Sequence, residues 1–400
     1  MDISTPLGRE SSHPPVLAGT LHIGEVASTP GRGQIKSVQA LRAIAALSVV
    51  AFHTTVLWHD RFGNAVSPWQ NGNSGVDLFF VISGFIMVLS SRRLVRRKDG
   101  WRRFMSLRIV RIGPMYWLAT LAKLAAIAVA PELALHTRPT GWNTIASFLF
   151  IPPYNAQRAV MPVLPVGWTL SFEMLFYAAF AAALACMVEP TVIVAPVMAL
   201  MAGLSLLHRP DWPAWTALAS PLVLEFVFGM GLAHLFLARR LHASRPLPFF
   251  ILAALGLLAL MLVPAVIPIT TTTPSLIPDL GDWRRVMVWG TAACAALAGC
   301  LATERWLDPF LPRWLVLLGE ASYSLYLTHG FVLPVVGRLA ARARLSPVSL
   351  GLVLLPACII GSVAVALVIY RWVEVPMTAW LRQKIGDRRV ASLAAPESPV

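Results

Sequence analysis

SVQALRAIAALSVVAFHTTVLWH, residues 37–59, decides how the rest of the chain is read. The stretch is apolar enough to cross a bilayer, yet it carries Arg42 near its start and His53 deeper in. An ionisable side chain in hydrocarbon costs roughly 2.5 kcal/mol or more, so its default reading is functional. Eleven positions separate the two residues. At ~100° per residue this is about 1100°, roughly 20° past three full turns, which puts both on one helix face about 16 Å apart along the axis. A base and a cation on one inward stripe point to a reaction path through the membrane. The plainer alternative is a snorkelling arginine and a packed histidine, but a snorkelling arginine belongs nearer a helix end.

The composition agrees with a membrane protein. The chain has 400 residues, 57 % of them hydrophobic and 13 % charged, with mean hydropathy +0.67. These values describe an all-α integral membrane protein rather than a soluble domain. Runs of roughly 17–25 apolar residues mark spans. They fall at about 37–58, 75–91, 112–131, 166–187, 190–207, 217–238, 248–268, 284–303, 314–336 and 348–373. The expectation is therefore about ten transmembrane helices. WNTIASFLFIPP (142–153) is apolar but too short to cross, and reads as an interfacial or re-entrant segment. Residues 1–34, rich in Gly, Pro, Ser and Thr without periodicity, read as a disordered cytoplasmic tail. They lack the regions of a signal peptide. Residues 35–376 form the transmembrane domain on this reading, and 377–400 a cytoplasmic tail.

Charge sets the orientation. Nine Lys and Arg residues lie between Arg92 and Arg111, with Asp99 the only acid, so that loop is cytoplasmic. Alternation then places both termini in the cytoplasm. Arg338, Arg342 and Arg344 fall outside against the rule and are outvoted. The net charge of +14 comes from cations flanking apolar spans, so nucleic-acid binding is not expected. Cys186, Cys294, Cys300 and Cys358 all sit in apolar runs without metal spacing and read as free, lipid-buried thiols.

The remaining chemistry lies in a few intramembrane polar residues. GVDLFFVISGFIM (75–87) opens the second span, and its Asp77 lies at the depth of His53, where a carboxylate could fix the imidazole tautomer. Asp77 reads equally as a helix-start residue favouring the dipole. Ser83-Gly84 permits close helix approach. In SLRIVRIGPMYW (106–117), Arg108 and Arg111 share a face one turn apart. Two guanidiniums there can clamp phosphates, and the alternative is positive-inside anchoring. VGWTLSFEMLFY (166–177) carries Glu173 about two turns from the outer surface, matching His53 in depth, and Glu225 lies near the middle of the sixth span. LGEASYSLYLTHGF (318–331) places Glu320 near the inner end of the ninth span and His329 near the outer end, where it reads as surface-exposed or as a substrate contact. Neither a nucleophile elbow nor a metal or phosphate-loop motif is present.

Five of these motifs, LRAIAALSVVAFH, GVDLFFVISGF, RIVRIGPMYWL, VGWTLSFEMLFY and LGEASYSLYLTH, resemble in order those of the membrane-bound acyltransferase 3 family, and most closely its exopolysaccharide acetyltransferases. The likeness runs from about residue 37 to 376. It implies ten core helices in a bacterial inner membrane and transfer of an acyl group, usually acetyl, from cytoplasmic acyl-CoA to a sugar hydroxyl, with no metal. The acceptor would be an extracytoplasmic or lipid-linked glycan, and partners would include membrane lipids and proteins of polysaccharide synthesis or export. The family's Arg and His map onto Arg42 and His53, its arginine pair onto Arg108 and Arg111, and its acid onto Glu173. On this reading His53, Asp77 and Glu173 are catalytic. Arg42, Arg108 and Arg111 hold the donor, while Ser83, Trp168 and His329 meet the acceptor. His53 is either a general base or a transient nucleophile. The family's closing Glu, basic residue and Pro appear here as Glu374-Val375-Pro376, without the cation. Two rival functions remain on residues alone: a transporter or flippase of an anionic or glycan-linked substrate, and a structural subunit of an export complex.

Overall fold

The computed structural model describes residues 35–62, 67–129, 139–155, 159–207, 209, 212–264, 280–342 and 347–386. The expected disorder of 1–34 and most of the C-terminal tail lie outside them. The described residues are almost entirely helical, and the one extended pairing among them is an isolated bridge between Tyr154 and Val160. In chain order the helices are α1 (Lys36–Phe62), α2 (Gly75–Ser91), α3 (Gly100–Val129), α4 (Gly141–Phe148), α5 (Trp168–Ala185) and α6 (Pro190–Leu204). There follow α7 (Leu224–Leu237), α8 (Leu247–Leu262), α9 (Leu280–Arg285), α10 (Thr291–Ala302), α11 (Glu304–Leu307), α12 (Arg313–Glu320), α13 (Ser322–Arg342), α14 (Pro347–Ile369) and α15 (Val375–Lys384). Two π-helical turns, Val286–Gly290 and Tyr370–Glu374, join α9 to α10 and α14 to α15 without a break in the rod.

Seven helical stretches among the described residues are long and apolar enough to cross a membrane: Lys36–Asp60, Gln70–Ser91, Gly100–Val129, Pro165–Ala185, Pro190–Leu207, Asp282–Ala302 and Val353–Lys384. Two further expected spans form shorter apolar helices, Pro221–Leu237 and Leu247–Leu262. Pro221, with no N–H to donate, starts the first of these late, and the Ser220 hydroxyl accepts from the N–H of Leu222. The expected span 314–336 is divided between α12 and α13 at Ala321. The last span runs on through α15, past the point where a tail was expected to begin. Residues 142–153 supply only α4, eight residues long. At ~1.5 Å per residue it is about 12 Å long, too short to cross. The four cysteines are free, but Cys186, at the end of α5, is exposed rather than buried.

In lipid, helix association rests on packing and interhelical hydrogen bonds rather than on the hydrophobic effect. The central helix is α2, most of whose residues are buried. It meets α7 at a crossing built from two glycines. A Cβ on Gly84 would strike the carbonyl of Phe226, and one on Gly229 the carbonyl of Val81. The close approach expected at Ser83-Gly84 is thus explained by a second glycine far along the chain. Phe226 then stacks on Phe80 at 4.6 Å and on Phe176 at 4.5 Å, tying α7 to α2 and α5. Helix α1 packs against α2, α12, α13 and α14. Its first turn is capped from 272 positions away, where Asp308 accepts from the backbone N–H groups of Lys36 at 2.8 Å and Ser37 at 2.9 Å. The carboxylate satisfies orphan donors and meets the positive end of the helix dipole.

Candidate active site

Arg42, Ser83, Arg108, Arg111 and Glu173, singled out on four different helices, line one cavity of about 360 Å³. That volume lies within the range of ligand pockets. Tyr177, Glu320, Tyr323, Tyr326, Glu374 and Arg382 are among the other polar residues of its wall.

The three arginines singled out from the sequence differ in electrostatic standing. Arg111 Nη1 donates to Glu374 Oε1 at 2.5 Å, and the other Glu374 oxygen accepts from Ser324 Oγ at 2.6 Å. Glu374 is 1 % exposed and belongs to the second π turn, which aims it at the cavity. Glu374 thus pairs with a cation from α3. Arg108 donates through Nη2 to Ser90 Oγ at 2.6 Å, and its guanidinium lies 5.5 Å from the Phe104 ring centre. Its buried Nε has no partner. Arg42 donates to Gln39 Oε1 at 3.3 Å. Among the described residues neither Arg42 nor Arg108 forms an ion pair. The guanidiniums of Arg42 and Arg108, neither in salt-bridge contact with a carboxylate, thus face one cavity with Glu173 in the same wall. An anion is the chemical complement of such a wall, and phosphate suits the planar fork of arginine.

Glu173 lies beside these arginines and not beside His53. Its Oε1 accepts from Ser83 Oγ at 3.1 Å and from the Tyr177 hydroxyl one turn along α5. Depth along a span carries no azimuth, and the acid faces the cavity.

Asp77 also has another partner. Arg285 grips it in two-toothed fashion, Nε to Oδ1 at 2.9 Å and Nη2 to Oδ2 at 2.8 Å, with Asp77 fully buried and Arg285 6 % exposed. A carboxylate with no access to water takes a full opposite charge in preference to a neutral imidazole. Glu225, also fully buried and near the start of α7 rather than mid-span, has two oxygens without a hydrogen-bond partner. Arg285 was passed over in the sequence. Its signal was a cation at the edge of an apolar run.

His53 does not line the cavity. Its Nδ1 lies 3.0 Å from the Val49 carbonyl oxygen and 3.2 Å from Nε2 of His329. His329 is 1 % exposed, which overturns its reading as a surface residue. Tyr326 stands between the two regions. It lines the cavity, its ring centre is 6.2 Å from that of His329, and its hydroxyl is held by the Val166 carbonyl at 3.2 Å and Thr169 Oγ1 at 3.1 Å. Trp168, expected to meet substrate, packs edge-on against Phe80 and Phe172, outside the cavity lining. No group of three or more metal-ligating side chains gathers among the described residues.

Residues 35–371 match the family described as the acyltransferase domain, the acyltransferase 3 family. The chain belongs to this family. Exopolysaccharide production protein ExoZ of Rhizobium meliloti (strain 1021) is 34 % identical over 332 residues, covering 81 % of this chain and 94 % of that protein. Peptidoglycan O-acetyltransferase OatA of Listeria monocytogenes serovar 1/2a is 25 % identical over 162 residues, covering 36 % of this chain and 23 % of that protein. No solved structure matches the chain. As a member of the acyltransferase 3 family with this set of apolar helices, the chain is a multi-pass membrane protein and an acyltransferase. The rival readings as a transporter or a purely structural subunit give way on that membership.

Proposed function

We propose that this protein is an O-acyltransferase of a bacterial inner membrane. It moves an acyl group, acetyl, from cytoplasmic acyl-CoA to a hydroxyl of an extracytoplasmic or lipid-linked glycan such as exopolysaccharide. The observation that carries the donor assignment is the pair Arg42 and Arg108, which face one cavity without a salt bridge to any described carboxylate. In the ten-span topology with both termini cytoplasmic, this cavity lies towards the cytoplasm and His53 towards the outer half. The phosphates of the donor meet the arginines, and its extended arm reaches along α1 towards His53. Arg111 supports this site indirectly: bound to Glu374, it fixes α3 against α14 and α15. Glu173 holds the Ser83 and Tyr177 hydroxyls in the cavity wall.

At the outer end, His53 takes the proton of the acceptor hydroxyl as the oxygen attacks the thioester carbonyl. The C–O bond forms, the C–S bond breaks, and the leaving thiolate takes up a proton as free CoA. The glycan acceptor places the enzyme beside the proteins that make or export polysaccharide. Labelled acetyl-CoA supplied to membranes containing the protein tests the reading. The expected product is an acetyl ester on cell glycan, seen as an added acetyl mass, and its loss in His53→Ala. Glycans of unchanged mass with and without the protein would refute the proposal.

A further inference from the structure

We infer that His329 is a positioning residue that fixes the proton of His53 on Nδ1 and so leaves Nε2 as the basic nitrogen. The inference rests on the reading of His53 as the base. It follows from which atoms can donate. His329 Nδ1 lies 3.1 Å from the Leu325 carbonyl oxygen. A carbonyl only accepts, so Nδ1 of His329 carries a proton, and in the neutral ring its Nε2 is then a lone pair. That Nε2 is 3.2 Å from His53 Nδ1. Two lone pairs do not face each other at that distance, so the proton is on His53 Nδ1. The Val49 carbonyl, 3.0 Å from the same atom, independently requires the same proton. Both contacts converge on one tautomer, with His53 Nε2 unprotonated. The relay runs from the Leu325 carbonyl through His329 to His53 and ends at a basic nitrogen.

An orienting group behind a catalytic histidine is ordinarily a carboxylate, because it also stabilises the imidazolium that forms. The two carboxylates that could have served are engaged elsewhere, Asp77 by Arg285 and Glu173 by Ser83 and Tyr177. A neutral imidazole gives the same tautomer. When His53 takes a proton at Nε2, its Nδ1–H bond to His329 becomes charge-assisted and strengthens. Phe52, 4.9 Å from the His53 ring centre, restrains the plane of that ring.

The test compares His329→Leu with His329→Gln in the full chain in its membrane. Gln Oε1 can reach the place of Nε2 and accept from His53 Nδ1, whereas Leu cannot accept at all. With acetyl-CoA as donor and cell glycan as acceptor, His329→Leu should lower kcat on the order of a hundredfold, within the range for general-base catalysis. The KM for acetyl-CoA should be unchanged, and His329→Gln should recover most of kcat. A structural role alone would not produce that split or that rescue. Independently of activity, the ¹⁵N spectrum of histidine-labelled protein, with His53 assigned by its loss in His53→Gln, should show the proton on Nδ1 in wild type and a tautomer mixture in His329→Leu. A proton on His53 Nε2 in wild type, or wild-type kcat in His329→Leu, overturns the inference. Full activity in His53→Ala would instead overturn the base assignment, and the ¹⁵N spectrum would still decide the tautomer.

Discussion

Replacing Arg108 by lysine keeps the charge and removes the fork. In the structure one terminal nitrogen of Arg108 is committed to Ser90 at 2.6 Å, while its buried Nε has no partner. The guanidinium can hold Ser90 and still present a second N–H to a phosphate. A single ammonium on a thinner stem cannot reproduce that geometry. Losing one charge-assisted hydrogen bond costs roughly 1.5–3 kcal/mol, and each ~1.4 kcal/mol is tenfold in affinity. Arg108→Lys should therefore bind acetyl-CoA about 10- to 100-fold more weakly. Arg111→Lys should differ, because the charge of Arg111 is already matched by Glu374 at 2.5 Å and a lysine can keep that ion pair. Its loss should stay within about threefold, less than the ~1.4 kcal/mol of a tenfold change. Arg96, exposed in the loop between α2 and α3 and outside the cavity lining, is the control. The assay is calorimetric titration of acetyl-CoA into the four purified proteins in one nanodisc lipid mixture. Equal affinities for Arg108→Lys and Arg96→Lys, or a larger loss in Arg111→Lys than in Arg108→Lys, would refute the reasoning.

Asp77→Ala should destabilise the protein by about 3–5 kcal/mol by leaving Arg285 buried and unpaired, and adding Arg285→Met should recover part of that loss; thermal unfolding in detergent measures both. Glu173→Gln keeps an oxygen for Ser83 and Tyr177, so its melting temperature should match wild type, whereas Glu173→Ala should lower it by leaving a buried hydroxyl without its acceptor, a loss of about 1–3 kcal/mol. Burial and the neighbouring Asp308 push Glu304, in the short helix after the eighth expected span, up to about 7. The folded state then holds that proton more tightly than the unfolded chain. The resulting stability is present below the ordinary value of 4.5 and is lost as pH rises through about 7, and Glu304→Gln should flatten that part of a melting-temperature profile.

Much of this architecture was legible because membrane proteins write their spans as apolar runs. The pairing of Arg42 with His53 on one face needed only the helical repeat, and α1 is one continuous helix. Glu173 of α5 was marked by its cost in lipid and the arginines of α3 by their shared face at the edge of a span, and all line one cavity. What periodicity could not provide was partnership. Asp77 and His53 were matched by depth, but the partner of Asp77 is 208 positions away and the partner of His53 is 276 positions away. Glu374 was noted only for the cation missing beside it in sequence, and its partner Arg111 comes from α3. Tyr177 could have been found, since it lies one turn from Glu173 on the same face.

The π turn at Tyr370–Glu374 makes chain length itself part of the site. A π turn closes on i→i+5 and so holds one residue more than an α turn. Removing one residue there would let the segment relax to ordinary helix and turn what lies on one side of it by ~100° relative to the other. Glu374 is buried against Arg111 and Ser324, while Thr378, Ala379 and Arg382 beyond it line the same cavity. Glu374, Thr378 and Arg382, four positions apart, share one face of the regular helix that follows, so the bulge sets the phase of that face against α14. A shortened chain would keep almost every side chain and turn Glu374 away from α3, so that Arg111 would lose the carboxylate that now neutralises it.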